Sequence, residues 1–180
     1  MAMYYIGMIV AVAFSGIGSA VGAGLASQAA VGGWKKCFSE NKAAPFILSA
    51  FAGAPLTQII YGFLLSNFIK GSAAAQANPA FALLTGIVSG LVIGLSAAFQ
   101  GKVAAAACDS LAETGKGTAN YFIVIGIVET VALFTLIFSL LVLGAQWSIV
   151  NSETQAFLHM YHRFRLITEW RLLARTLCHL

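Results

Sequence analysis

Residues 4–31, 44–69, 79–107 and 120–145 each form a run of more than twenty residues with at most one charged side chain. About 20 consecutive apolar residues suffice to carry a helix through the hydrocarbon core of a bilayer. A water-soluble fold of 180 residues would leave much of this surface in water. Charged residues make up 9% of the chain and hydrophobic ones 59%, against about a quarter charged in ordinary soluble domains. The bilayer is therefore the expected solvent, and the expected class is an all-α membrane protein with four transmembrane helices. Residues 1–5 contain no Lys or Arg, so the first run lacks the basic leader of a cleaved signal peptide and reads as a retained helix.

The four helices read as an internal repeat of two tandem hairpins, 1–72 and 73–148. In each hairpin the first helix is rich in small residues and the second carries one polar island, centred on Gln58 or on Glu129, 71 residues apart. Along the third run Gly86, Gly90, Gly94 and Ala98 recur every fourth residue and make a smooth stripe. The first run has two stripes, one of Gly18, Gly22, Ala26 and Ala30, the other of Gly16, Ala20 and Gly24. Small residues at this spacing let helix backbones approach closely. Stripes on two faces fit a crowded wall in which each helix has neighbours on both sides, although simple dimer packing uses the same pattern.

Glu129 is the only carboxylate inside any of the four runs. Holding a charged group at the bilayer centre costs roughly 2.5–3.5 kcal/mol, so an intramembrane acid marks a functional site by default. In an antiparallel hairpin, residues equally far from the turn share a depth. With the turn at TGKG, 114–117, Gln100 lies level with Glu129. A turn centred near Phe38 likewise puts Gln58 level with residues around Gly18, where small side chains leave room. Pro55 removes one backbone hydrogen bond and loosens the carbonyls of the preceding turn. Thr57, Gln58 and Tyr61 follow within about one turn. Together Thr57, Gln58, Gln100 and Glu129 offer four oxygens to a hard cation such as Na+, with a loosened carbonyl near Pro55 as a fifth. A proton needs only Glu129 and a dry pocket.

The motifs FSGIGSA at 14–20, PLTQIIYG at 55–62, QGKVAAA at 100–106 and VET at 128–130 give a specific likeness. Over residues 1–146 the chain resembles the K subunit, the proteolipid, of bacterial sodium-translocating V-type ATPases. That resemblance implies a rotor ring of identical four-helix subunits, with the ion-carrying helices outside. It implies Na+ ligation by Glu129, Gln100, Thr57 and Gln58, by the backbone carbonyl of Ala54, and a hydrogen bond from Tyr61 to Glu129. Leu56 stands where the family carries a smaller residue such as Gly. The implied partners are a membrane stator protein with a basic residue, central-stalk subunits and lipid, with no organic cofactor and no nucleic acid. The protein is expected to be non-catalytic, since no phosphate-binding Gly-Lys-Ser/Thr loop occurs. One ion per four helices favours pumping against a steep gradient over economical ATP synthesis. The competing reading is a small four-helix proton-coupled multidrug exporter, which also relies on one membrane Glu but usually carries it in the first helix.

Lys35, Lys36 and Lys42 fall in loop 32–42, and Lys116 in loop 108–119, so both loops are expected on the cytoplasmic side of the cell membrane, with the termini opposite. Cys37, Cys108 and Cys178 have no metal-ligand or CxxC spacing. The tail, 149–180, departs from the family pattern. Its Ser152-Glu153-Thr154-Gln155 suits a capping box ahead of an aromatic, Arg-containing stretch, and an interfacial helix competes there with an appended segment of no role. Protease added to intact vesicles should trim this tail only from the side opposite the lysine-rich loops. Trimming from the cytoplasmic side overturns the topology.

Overall fold

The computed structural model describes residues 2–144, all helix and connecting turn, with no strand among them. The tail expected at 149–180 lies outside the described residues. The helices are α1 (Ala2–Ser39), α2 (Leu48–Gly53), α3 (Thr57–Gly71), α4 (Ala73–Ala77), α5 (Pro79–Thr114) and α6 (Thr118–Val142). A 3-10 turn, Ala54–Leu56, joins α2 to α3 and makes one bent span of Leu48–Gly71. With α1, α5 and α6 this gives four helices long and apolar enough to cross a membrane, with mean hydropathies of 1.5 to 2.4.

Local chemistry sets the boundaries. Ser72 Oγ accepts from the Ala75 amide and Asn78 Oδ1 from the Phe81 amide, so each side chain caps a helix start, and Pro79 occupies a first-turn position where its missing N–H costs nothing. Gly115 and Gly117 have φ of 67° and 87°, left-handed conformations that let α5 stop and α6 begin within a short turn.

The segments expected as loops 32–42 and 108–119 are largely helical, because α1 runs on to Ser39 and α5 to Thr114. At 1.5 Å per residue α1 and α5 are about 57 and 54 Å long, far beyond a hydrocarbon core of about 30 Å. Their ends project into the aqueous layer, where lysines are compatible with helix. There Lys36 Nζ pairs with Glu113 Oε1 at 2.7 Å and ties the two projecting ends together.

The most extensive packing is between α1 and α5, which run parallel. A Cβ placed on Gly18 would strike the Gly94 backbone, one on Gly86 the Gly7 backbone, and one on Gly101 the Gly22 backbone. These glycines are required for close approach. The α5 stripe does not follow the predicted fourth-residue spacing to its end: after Gly86, Gly90 and Gly94 the contact passes to Ala97 and Gly101, while Ala98 is only partly buried. Each step of four overshoots a turn by about 40°, so the contact line must drop to a step of three. On α1, Gly18, Gly22, Ala26 and Ala30 are buried against the rest of the chain, whereas Gly16, Ala20 and Gly24 remain partly or fully exposed.

α3 runs antiparallel to α1, with Gly62 against Ser15 and Pro55 against Gly22. α6 rests chiefly on α5, held by a buried Ser89–Ser139 hydroxyl pair at 2.7 Å and by Ser96 Oγ donating to the Val128 carbonyl at 2.9 Å. Phe51, fully buried on α2, meets Tyr121 and Phe122 of α6 edge-on at centroid distances of 6.3 and 4.8 Å and so links the hairpins. Residues 2–144 pack as one compact unit. Gly18→Ala should destabilise the detergent-extracted protein by about 1–3 kcal/mol of overpacking strain, read as a lower thermal unfolding temperature. Gly71→Ala, whose added carbon meets nothing within 4 Å, should leave it unchanged.

Candidate ion-binding site

Pro55 cannot donate a backbone hydrogen bond, and the chain responds by tightening Ala54–Leu56 into a 3-10 turn. The turn brings three oxygens together. Thr57 Oγ1 lies 3.1 Å from the Ala54 carbonyl and 3.2 Å from Gln58 Oε1. Thr57 has one hydroxyl proton for both acceptors. A cation among these oxygens would replace a shared hydrogen bond with direct attraction to each.

The polar chain continues across the helices. Gln58 and Gln100 are both fully buried, and Gln58 Nε2 donates to Gln100 Oε1 at 2.7 Å. Gln100 Nε2 donates to the Ile125 carbonyl at 3.1 Å and makes a longer contact of 3.4 Å with Glu129 Oε2. Tyr61, 2% exposed, donates from its hydroxyl to Glu129 Oε1 at 2.7 Å. Each carboxyl oxygen of Glu129 thus faces a donor from a different helix. Glu129 itself sits near the middle of α6 and is half-buried, at the boundary between this polar chain and the outer surface of the unit.

All six residues singled out in the sequence therefore lie in one connected cluster: Ala54, Thr57, Gln58 and Tyr61 from the bent span, Gln100 from α5 and Glu129 from α6. Gln100 meets Glu129 because the α5–α6 turn is at Gly115–Gly117, as the hairpin geometry requires. The first hairpin obeys the same arithmetic, with its centre near Phe38. Leu56, in the same 3-10 turn, is 49% exposed in the single chain. Among the described residues no group of three or more His, Cys, Asp and Glu side chains is placed to hold a metal. The donor set is one carboxylate with neutral oxygens, which suits a hard monovalent cation rather than zinc.

Two contributors are not picked out by the sequence. The Ile125 carbonyl holds Gln100 in place, and Ser96 fastens α5 to the carbonyl preceding Glu129. Ser96 is four residues before Gln100 on the same helical face, a spacing that could have found it. A concavity of about 720 Å³ between α5 and α6 is lined mainly by apolar residues, among them Leu84, Val88, Phe134 and Phe138.

The helix pair that supplies Gln100 and Glu129 decides what the chain is similar to. Residues 83–142 match the family model of the ATP synthase C subunit. This match spans one third of the 180 residues, most of the second hairpin, and contains both Gln100 and Glu129. Together with the four helices long and apolar enough to cross a membrane, it makes the second hairpin similar to a membrane proteolipid. No curated protein sequence matches the chain.

Tyr61→Phe removes the shorter of the two hydrogen bonds to Glu129. The freed carboxyl oxygen should react about tenfold faster with a hydrophobic carbodiimide, the scale of one charge-assisted bond. Mass spectrometry of the Glu129 peptide over time measures this.

Proposed function

We propose that this protein is the rotor-ring proteolipid of a rotary V-type ATPase or ATP synthase and carries one Na+ at a time on Glu129. The observation that carries the reading is the convergence of Ala54, Thr57, Gln58, Gln100 and Tyr61 on a mid-membrane carboxylate, in a chain whose second hairpin matches the ATP synthase C subunit. Identical copies form the ring, and the second small-residue stripe of α1, partly open in the single chain, gives a neighbouring copy a smooth surface.

The mechanism follows from the cost of charge in hydrocarbon. An ion-free Glu129 is an anion and stays near a basic residue of the membrane stator. With Na+ bound, the carboxylate is neutralised, and its exposed side can pass through lipid as the ring turns. Ion transfer is thereby coupled to rotation, and ATP chemistry belongs to partner subunits reached through the central stalk. The projecting ends of α1 and α5, with Lys36 and Glu113, are the surface for that stalk on the cytoplasmic side of the cell membrane.

A proton-carrying site is the second reading, favoured by one feature: Tyr61 and Gln100 each place a donor at an oxygen of Glu129. Carbodiimide labelling separates the two. Na+ at millimolar concentration should slow modification of Glu129 at least tenfold at constant pH and ionic strength, with K+ ineffective, and Glu129→Gln should abolish labelling. Labelling indifferent to Na+ would sink the sodium assignment in favour of protons, and a detergent-extracted particle the mass of a dimer would sink the ring in favour of a small exporter.

A further inference from the structure

Ser19 Oγ is, among the described residues, the one fully buried side-chain nitrogen or oxygen without a hydrogen-bond partner in the chain. Helical serines usually avoid this cost by donating to a carbonyl one turn back. Ser15, one turn away on the same helix, does so, with its hydroxyl 2.8 Å from the Ala11 carbonyl and 3.0 Å from that of Val12. Ser19 does not.

Its position explains what the hydroxyl is for. Along the antiparallel contact of α1 with the bent span, Ser15 meets Gly62 and Gly22 meets Pro55. Ser19 is four residues after Ser15 and three before Gly22, so it shares their face and stands level with Gln58. Gln58 Nε2 donates to Gln100 Oε1. A cation bound by both glutamine oxygens competes for that same Gln100 oxygen, and the Gln58 amide proton pointing at it is repelled. The amide then needs another acceptor, in a place where water is excluded and an unmade hydrogen bond is expensive.

We infer that Ser19 Oγ is that acceptor: when the cation takes Gln100 Oε1, Gln58 Nε2 turns its proton to Ser19, and this bond holds Gln58 Oε1 on the ion. Ser19 is a positioning residue that acts through Gln58 and does not touch the cation. The inference rests on the cation-carrier reading above and adds to it a partner exchange between the ion-free and loaded states.

The test compares the full-length, membrane-assembled wild type with Ser19→Ala and Ser15→Ala, each of which removes a hydroxyl without adding bulk. For each, the Na+ concentration that halves the rate of carbodiimide modification of Glu129 is measured, along with the rate without Na+ and the thermal unfolding temperature. Ser19→Ala should raise the half-protecting concentration about tenfold, the scale of one buried hydrogen bond, and leave the Na+-free rate unchanged. Ser15→Ala should move it less than about twofold, since its hydroxyl is served within α1. Unchanged protection in Ser19→Ala, with the wild type protected, overturns the role of Ser19 and leaves the cation carrier standing. An equal rise in both serine variants assigns the effect to packing and also overturns it. A wild type that Na+ does not protect defeats the cation reading itself, and the inference with it.

Discussion

A carboxylate at mid-membrane depth has no water to satisfy it, and much of the architecture answers that one constraint. Glu129 takes a phenol from α3 and an amide from α5, and the amide is held by a second amide and by a carbonyl of α6. Each donor must arrive from a different helix, so the helices must pass within a few ångströms of one another at this level. That requirement accounts for the glycines on α1 and α5, whose backbones touch where bulkier residues would hold the bundle open. It also accounts for the break at Pro55, which turns backbone and side-chain oxygens toward the same space.

Much of this is legible in the sequence because membrane chains leave few options. An acid or amide within an apolar run is conspicuous, and hairpin symmetry about Gly115–Gly117 fixes the depth of Gln100 against Glu129 with no knowledge of side-chain conformation. Periodicity serves well over short spans and less well over long ones: spacing alone carries the α5 stripe to Ala98, whereas helical drift passes the contact to Ala97 and Gly101. The full lengths of α1 and α5 are hidden because hydropathy reports where lipid ends, whereas a helix ends only where caps and glycines stop it. Ser19 is hidden for another reason, since a serine among glycines and alanines looks like one more small packing residue. Only its missing partner, a property of three-dimensional surroundings, sets it apart.

The cluster at Glu129 also shows a division of labour between hairpins. The second supplies the carboxylate and the amide beside it, and it is the part that matches the ATP synthase C subunit. The first supplies Ala54, Thr57 and Gln58, the oxygens that the proposed cation would engage, and the Tyr61 hydroxyl that donates to Glu129. In the repeat, Gln58 occupies the place of Glu129. An amide there keeps oxygen donation while removing a second negative charge that would otherwise require its own counter-ion in lipid.

The backbone contact between α1 and α5 has a mechanical side. Two helices separated by side chains can slide, because rotamers yield. Here Gly7 meets Gly86, Gly18 meets Gly94 and Gly22 meets Gly101 with little but main chain between them, and Lys36 and Glu113 pin the far ends. Such a pair shears poorly and bends as a single beam roughly 50 Å long. In the rotor proposed above, a stiff beam limits the work lost to elastic twist, so a displacement imposed at one end arrives at the other with little lag.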